Sequence, residues 1–535
     1  MSTKLRPLGP RSILIILLGQ FASIAAATQQ KPHETAKVLT DCGFIAREYE
    51  YVSQDSVMLS IVRGTNPLFN GGEHGLDNKQ PIIFLQGTTL GSSLALENSQ
   101  NVKPRDFSHL DVNDHSRAQL IQEIGSDPSA RNFLFLALNF GHEVWILNRR
   151  GFSGSRRRLK DKNRTLADAM RAVPDTIFGF KYIGDPALTG GLISGRPRAK
   201  RSLPGFDANA WLTDEMTRLL NQSSKIQDKA RALFAPLSLV KMPEGMLLFT
   251  DEQFQQEFIE TFNPDFWNFS LDEQAKYDLP ATIDFVLEKT GKKKVHLVGL
   301  SCGGAIILLA HAENPKLAEK VGASVLWAPS VNLGSGSDIV FQLSYIVPFT
   351  QGIVGPLPAL FLNRPLQTIF QRYCKSSPQA LRTCNLMYDS AYGRGASQST
   401  LGPIWWTNTF VSSPSNELKH LGQMAHTNLT CKFNYNTPKK NLEVYGQPSA
   451  PCYNFSRIET PNLFFYVSDD DRLVSVEDID ATLEQLSVSY HLEHISEEGL
   501  HFSHLGYIVH KQNTRVAVVP TLKNIASVEA KDALN

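Results

Sequence analysis

What this sequence lacks narrows the reading first. Opposite charges nearly cancel, 53 Lys and Arg against 52 Asp and Glu, so no excess of one sign draws the chain to nucleic acid or to another polyanion. The six cysteines contain no CxxC pair and no metal-ligand spacing, so no cofactor or metal is expected. No repeat at a period of roughly 20–50 residues recurs, which argues against a solenoid. Long apolar runs are also missing. The N-terminal run Ser12 to Ile24 falls short of the ~20 residues a bilayer needs, and the apolar stretch 343–362 is broken by three prolines.

What is present points to a large soluble chain of the secretory route. At 535 residues, with 42% hydrophobic and 20% charged residues, it has enough apolar material for a big core with insertions. Lys4, Arg6 and Arg11 precede the Ser12–Ile24 run, and Ala25-Ala26-Ala27 follows it. That order is a signal peptide cut near Ala27, with an extracellular or lysosomal destination; an uncleaved anchor is the alternative. Five N-x-S/T sequons, at Asn163, Asn221, Asn268, Asn428 and Asn454, become candidate glycan sites in that setting. Among the cysteines, Cys374 and Cys384 form the best local disulfide candidate, and Cys431 with Cys452 a looser one. Arg198-Ala199-Lys200-Arg201 fits a convertase pattern with cleavage after Arg201, or else a solvated basic loop.

Along the chain, residues 43–64 alternate apolar and polar around a polar turn and read as an antiparallel hairpin. Short apolar runs then recur at Pro81–Leu85, Glu143–Leu147, Val295–Val298, Ser324–Trp327 and Leu463–Val467, separated by helix-like stretches. Strands alternating with helices give an α/β class, a mainly parallel sheet with helices on both faces. Ser270 with Glu273 forms a capping box, Pro280 is expected to kink the helix it starts, and Gly291 suits its end.

The chemistry concentrates where the third of these runs ends. Gly299-Leu300-Ser301-Cys302-Gly303 fits G-x-S-x-G, a serine thrust out on a strand-to-helix turn with glycines where side chains would collide. A hydroxyl needs a base, and the base an orienting carboxylate, in the chain order Ser, Asp or Glu, His. Asp469, Asp470 and Asp471 follow the Leu463–Val467 run, and His501, His504 and His510 follow a further helix and strand. Within each set the spacing does not choose. A metal cluster of these acids and histidines is the weaker alternative, since no regular ligand spacing links them.

These segments together resemble the acid lipases, the gastric and lysosomal group of the α/β-hydrolase fold. The likeness is carried by residues 43–63, by "HEVWILNRRGFSGSRR" (142–157), and above all by 266–301. It implies Ser301 as nucleophile. It selects Asp471 within "DDRLVSVEDID" and His504 within "SHLGYI". It implies oxyanion N–H groups from Cys302 and from Thr89, or Thr88 if the loop is shifted. It also makes 332–460 a cap and lid holding the Cys374–Cys384 disulfide. The resulting organisation is 1–27 leader, 28–158 and 265–331 core, 159–264 insert, 332–460 cap and 461–535 core. The chain departs from the family pattern at Leu300 and Cys302, which flank the serine, and at Gly87-Thr88, where the family has His-Gly. The implied activity is serine ester hydrolysis of triacylglycerol or cholesteryl ester. No cofactor is called for, and the lid is expected to touch a lipid surface. The alternative is a lipase-fold lipid-binding protein with little activity.

Overall fold

The computed structural model describes residues 34–88, 95–152, 154–172, 256, 259–336, 358–359, 372–397 and 413–534. The leader, Thr89, Arg201, Asn221 and most of the 343–362 stretch lie outside them.

The hairpin forms where alternation placed it, as β1 (Ile45–Val52) and β2 (Val57–Thr65), paired antiparallel from Ile45–Thr65 to Val52–Met58. The later apolar runs become β3 (Ile82–Leu85), β4 (Val144–Asn148), β6 (Val295–Leu300), β7 (Val321–Trp327) and β10 (Leu463–Ser468). Short β5 (Arg157–Arg158) pairs with β2, and β8 (Pro358–Ala359) pairs with β9 (Ser413–Pro414) apart from the main sheet. The last strand is β11 (Tyr490–Ile495).

The main sheet runs β1-β2-β4-β3-β6-β7-β10-β11, and every neighbour pair from β4 to β11 is parallel. Strands β2, β3, β4, β6 and β7 are buried at every residue, the pattern of strands covered on both faces. Helices α1 (Leu279–Thr290) and α2 (Cys302–Glu313) flank β6 in sequence, and α6 (Val519–Leu534) ends the described chain. Between β7 and β10 come α3 (Pro378–Tyr392) and α4 (Ser415–Thr427); α5 (Val476–Leu483) links β10 to β11.

The capping box forms as expected, with Ser270 and Glu273 serving each other's backbone. At Pro280 the chain widens into a π-type turn over Gln274–Asp278 before α1 begins. That is a known way to absorb a proline's missing N–H. Gly291 ends α1 in the left-handed region at φ 67°. Both cysteine pairs are bonded, Cys374–Cys384 and Cys431–Cys452, and Cys42 and Cys302 are free.

Candidate active site

Ser301 closes β6 and caps α2 at φ 57° and ψ −122°, a left-handed conformation that non-glycine residues seldom adopt. Such strain costs on the order of 1–3 kcal/mol and persists only where surroundings impose it. Here Ser301 N–H donates to the Trp327 carbonyl at 2.8 Å, and its own carbonyl accepts from Ala305 N–H at 3.0 Å and Ser330 N–H at 3.2 Å. The glycines have steric reasons. A Cβ on Gly303 would sit 2.1 Å from the Leu85 carbonyl oxygen, and one on Gly299 would sit 2.5 Å from the Gly303 carbonyl carbon. Strand β3, strand β6 and helix α2 therefore meet backbone to backbone around the serine.

The acid and the imidazole come from the loops that follow β10 and β11. Asp471 follows β10 and lies in a buried turn, where Oδ1 accepts from the Leu473 and Val474 N–H groups at 2.8 and 3.0 Å. Its Oδ2 lies 2.7 Å from His504 Nδ1. His504, only 1% exposed, leaves Nε2 buried without a hydrogen-bond partner. Ser301 Oγ is not bonded to that nitrogen; it lies 3.0 Å from Ser330 Oγ. The neighbouring candidates are occupied elsewhere. Asp470 pairs with His501 at 3.1 Å and Asp469 with His494 at 2.6 Å, both at half-exposed positions. Of the three acids and three histidines, only Asp471 with His504 is buried and paired.

Helix α3 braces this pair. The Tyr392 carbonyl accepts the His504 N–H at 3.0 Å, and Gly393 makes a β-bridge to Asp471. Gly393 has φ 112°, and a Cβ there would lie 1.9 Å from the Asp470 carbonyl oxygen. Any other residue at that position would push the acid turn away.

On the other side of the serine stands the loop after β3. Gln86 is buried and its side-chain amide has no partner, whereas Thr88 meets the Cys302 thiol. The Gly87 carbonyl accepts from Arg149 Nη2 at 3.0 Å. Arg149 is itself buried against Glu417 of α4, with Nη1–Oε2 and Nη2–Oε1 both at 3.1 Å. Its neighbour Arg150 takes Asp278 and Asp55 as partners. Cys302 lies at the start of α2, and burial pushes its thiol up to about 11, so it stays protonated near neutrality and does not compete as a nucleophile.

The sequence singled out Ser301 and Cys302, and the resemblance Asp471 and His504; they lie at the end of β6, at the start of α2 and in the loops after β10 and β11. It gave no role to Ser330, Tyr392, Gly393, Arg149 or Glu417. Arg149 stood in the quoted 142–157 segment, but nothing in the order of residues pairs it with a glutamate 268 positions later. Asn163, Asn268, Asn428 and Asn454 are exposed. Asn428 Oδ1 accepts from Gly334 N–H, and Asn454 Oδ1 caps the turn at Ser456.

A family described as alpha/beta hydrolase fold matches residues 125–506. Among curated proteins, gastric triacylglycerol lipase of Bos taurus is 31% identical over 253 residues, 46% of this chain and 61% of its own. The Mus musculus protein of the same name is 28% identical over 256 residues, with 46% and 62% covered. Lipase member K of Homo sapiens is 29% identical over 232 residues, with 42% and 57% covered. The chain thus spans about six tenths of the length of the curated relatives it matches.

Proposed function

The chain belongs to the alpha/beta hydrolase fold family, and from that premise we propose that it is a serine carboxylic-ester hydrolase, a lipase acting on acyl esters of lipids. The observation that carries the reading is the buried Asp471–His504 pair, whose Nε2 has no partner, together with a serine held in a strained turn at the end of β6.

In the reaction, Ser301 Oγ leaves Ser330 by rotation about its Cα–Cβ bond and attacks the ester carbonyl. His504 Nε2 takes the serine proton, a role worth ~10²–10⁴ in rate, and returns it to the leaving alcohol. Asp471 fixes the Nδ1–H tautomer and stabilises the imidazolium. The Cys302 N–H, at the start of α2, and an N–H from the loop after β3, at Thr89 or Thr88, receive the oxyanion. Water then enters by the same route in reverse, releasing the acid.

The names of the relatives support triacylglycerol as the ester class, with cholesteryl ester the second candidate. We assign residues 332–460 to a cap that meets a lipid surface, and 1–27 to a leader into the secretory pathway. Cleavage after Arg201 and glycans at the sequons belong to the same reading. A second reading, a lipid-binding protein with little turnover, draws support from the Ser301–Ser330 contact and from the unpartnered Gln86 amide.

Hydrolysis of medium- and long-chain triacylglycerol and of cholesteryl ester, at pH 5 and 7.5, separates the two. The lipase reading expects turnover that Ser301→Ala abolishes. Lipid binding without turnover, equal in both proteins, would favour the second reading.

A further inference from the structure

The Arg149 guanidinium spends four N–H groups on three partners: Gln274 Oε1 at 2.9 Å, both Glu417 carboxylate oxygens, and the Gly87 carbonyl. Gln274 closes the set by donating to Glu417 at 2.8 Å. Arg149 and Glu417 are 1% and 0% exposed, so solvent does not share in holding them. A guanidinium is a rigid planar fork, and with both ends of its fork committed its direction toward Gly87 is fixed. A peptide is planar and trans, so fixing the Gly87 carbonyl also fixes the Thr88 N–H, which points to the opposite side. On that side the Thr88 backbone faces the Cys302 thiol, so the peptide is tied to the start of α2 at the residue whose own N–H is the other candidate oxyanion donor.

We infer that Arg149, locked by Glu417 of α4, is a positioning residue that aligns the Gly87–Thr88 peptide with the start of α2 and so sets the oxyanion site for the proposed esterase reaction. The assignment rests on that reaction being correct. It also makes α4 more than a cover, because its buried glutamate holds the arginine that holds the loop. Removing one oxyanion donor costs ~10²–10³ in rate, and a misplacement of ~1 Å about 10²-fold.

The test compares wild type with the double variant Arg149→Met/Glu417→Met. Replacing a buried ion pair by apolar side chains commonly preserves the fold, and a melting curve checks it. The substrate is a soluble short-chain p-nitrophenyl ester; the transition-state mimic is a trifluoromethyl ketone, whose hemiketal oxyanion occupies the same site. The expected result is kcat lowered about 10–100-fold with KM within about twofold, and ketone affinity weakened by the same factor as kcat/KM. Arg149→Lys keeps the charge but loses the fork, and should fall between the two. It also carries the test should the double variant fail to fold. Unchanged kcat and ketone affinity in a folded variant would overturn the inference alone. A folded wild type inert toward the ester would overturn the esterase reading and this inference with it.

Discussion

At the scale of single residues, the account turns on which nitrogen of His504 is free. Asp471 binds Nδ1 at 2.7 Å, and two backbone N–H groups hold the other carboxylate oxygen, so the pair is fixed before any substrate arrives. Asp471→Asn should leave a folded protein, because the amide oxygen still accepts the two backbone N–H groups. Its NH2 would then donate toward Nδ1 and turn the imidazole to the wrong tautomer. In a triad that change costs about 10⁴ in kcat. Steady-state kinetics beside a melting curve checks both halves, and a variant retaining more than a tenth of wild-type kcat would remove Asp471 from the mechanism.

At the scale of elements, much was legible and for identifiable reasons. The apolar runs marked β3, β4, β6, β7 and β10 to within a few residues, since parallel strands buried on both faces have no polar alternation to blur them. Ser270 with Glu273 announced a helix start, and Gly291 its end, because caps are local chemistry. Ser301 was legible for the same reason, the glycines beside it being imposed by contacts within a few residues and from Leu85. Asp471 and His504 were not separable from their neighbours by spacing, and the family resemblance chose them; burial is what distinguishes them in the fold. The Arg149–Glu417 pair and the Gly393 brace were illegible altogether. Each joins a core loop to the segment between β7 and β10, and contacts at such sequence distance leave no periodic trace.

At the scale of the whole molecule, two histidines far from the serine set a pH dependence of stability. Burial pushes His311 down to about 4, and it pushes His142 down to about 4 against the opposing pull of Glu529. Both are therefore neutral in the fold at pH 5, whereas the unfolded chain protonates them below ~6.5. A lowered histidine contributes stability that is present above ~6.5 and is lost as pH falls toward 4. At pH 5 the loss is roughly 2 kcal/mol for each. Glu97 and Asp278, pushed up by burial to about 7 and about 6, act in the opposite direction, so the histidine share is read by difference: the Tm at pH 7.5 minus that at pH 5 should be smaller in His311→Gln than in wild type. A folded His311→Gln variant with the same Tm difference as wild type would contradict this assignment.

The central claim is that Ser301 is an activated nucleophile. Labelling the intact protein with a fluorophosphonate, then mapping the adduct by peptide mass, tests it most directly, because the reagent reacts with a serine only where a base and an oxyanion site cooperate. The account predicts one adduct, on Ser301, absent from Ser301→Ala and from heat-denatured protein. An unlabelled folded wild type, or an adduct on Ser330 instead, would contradict it.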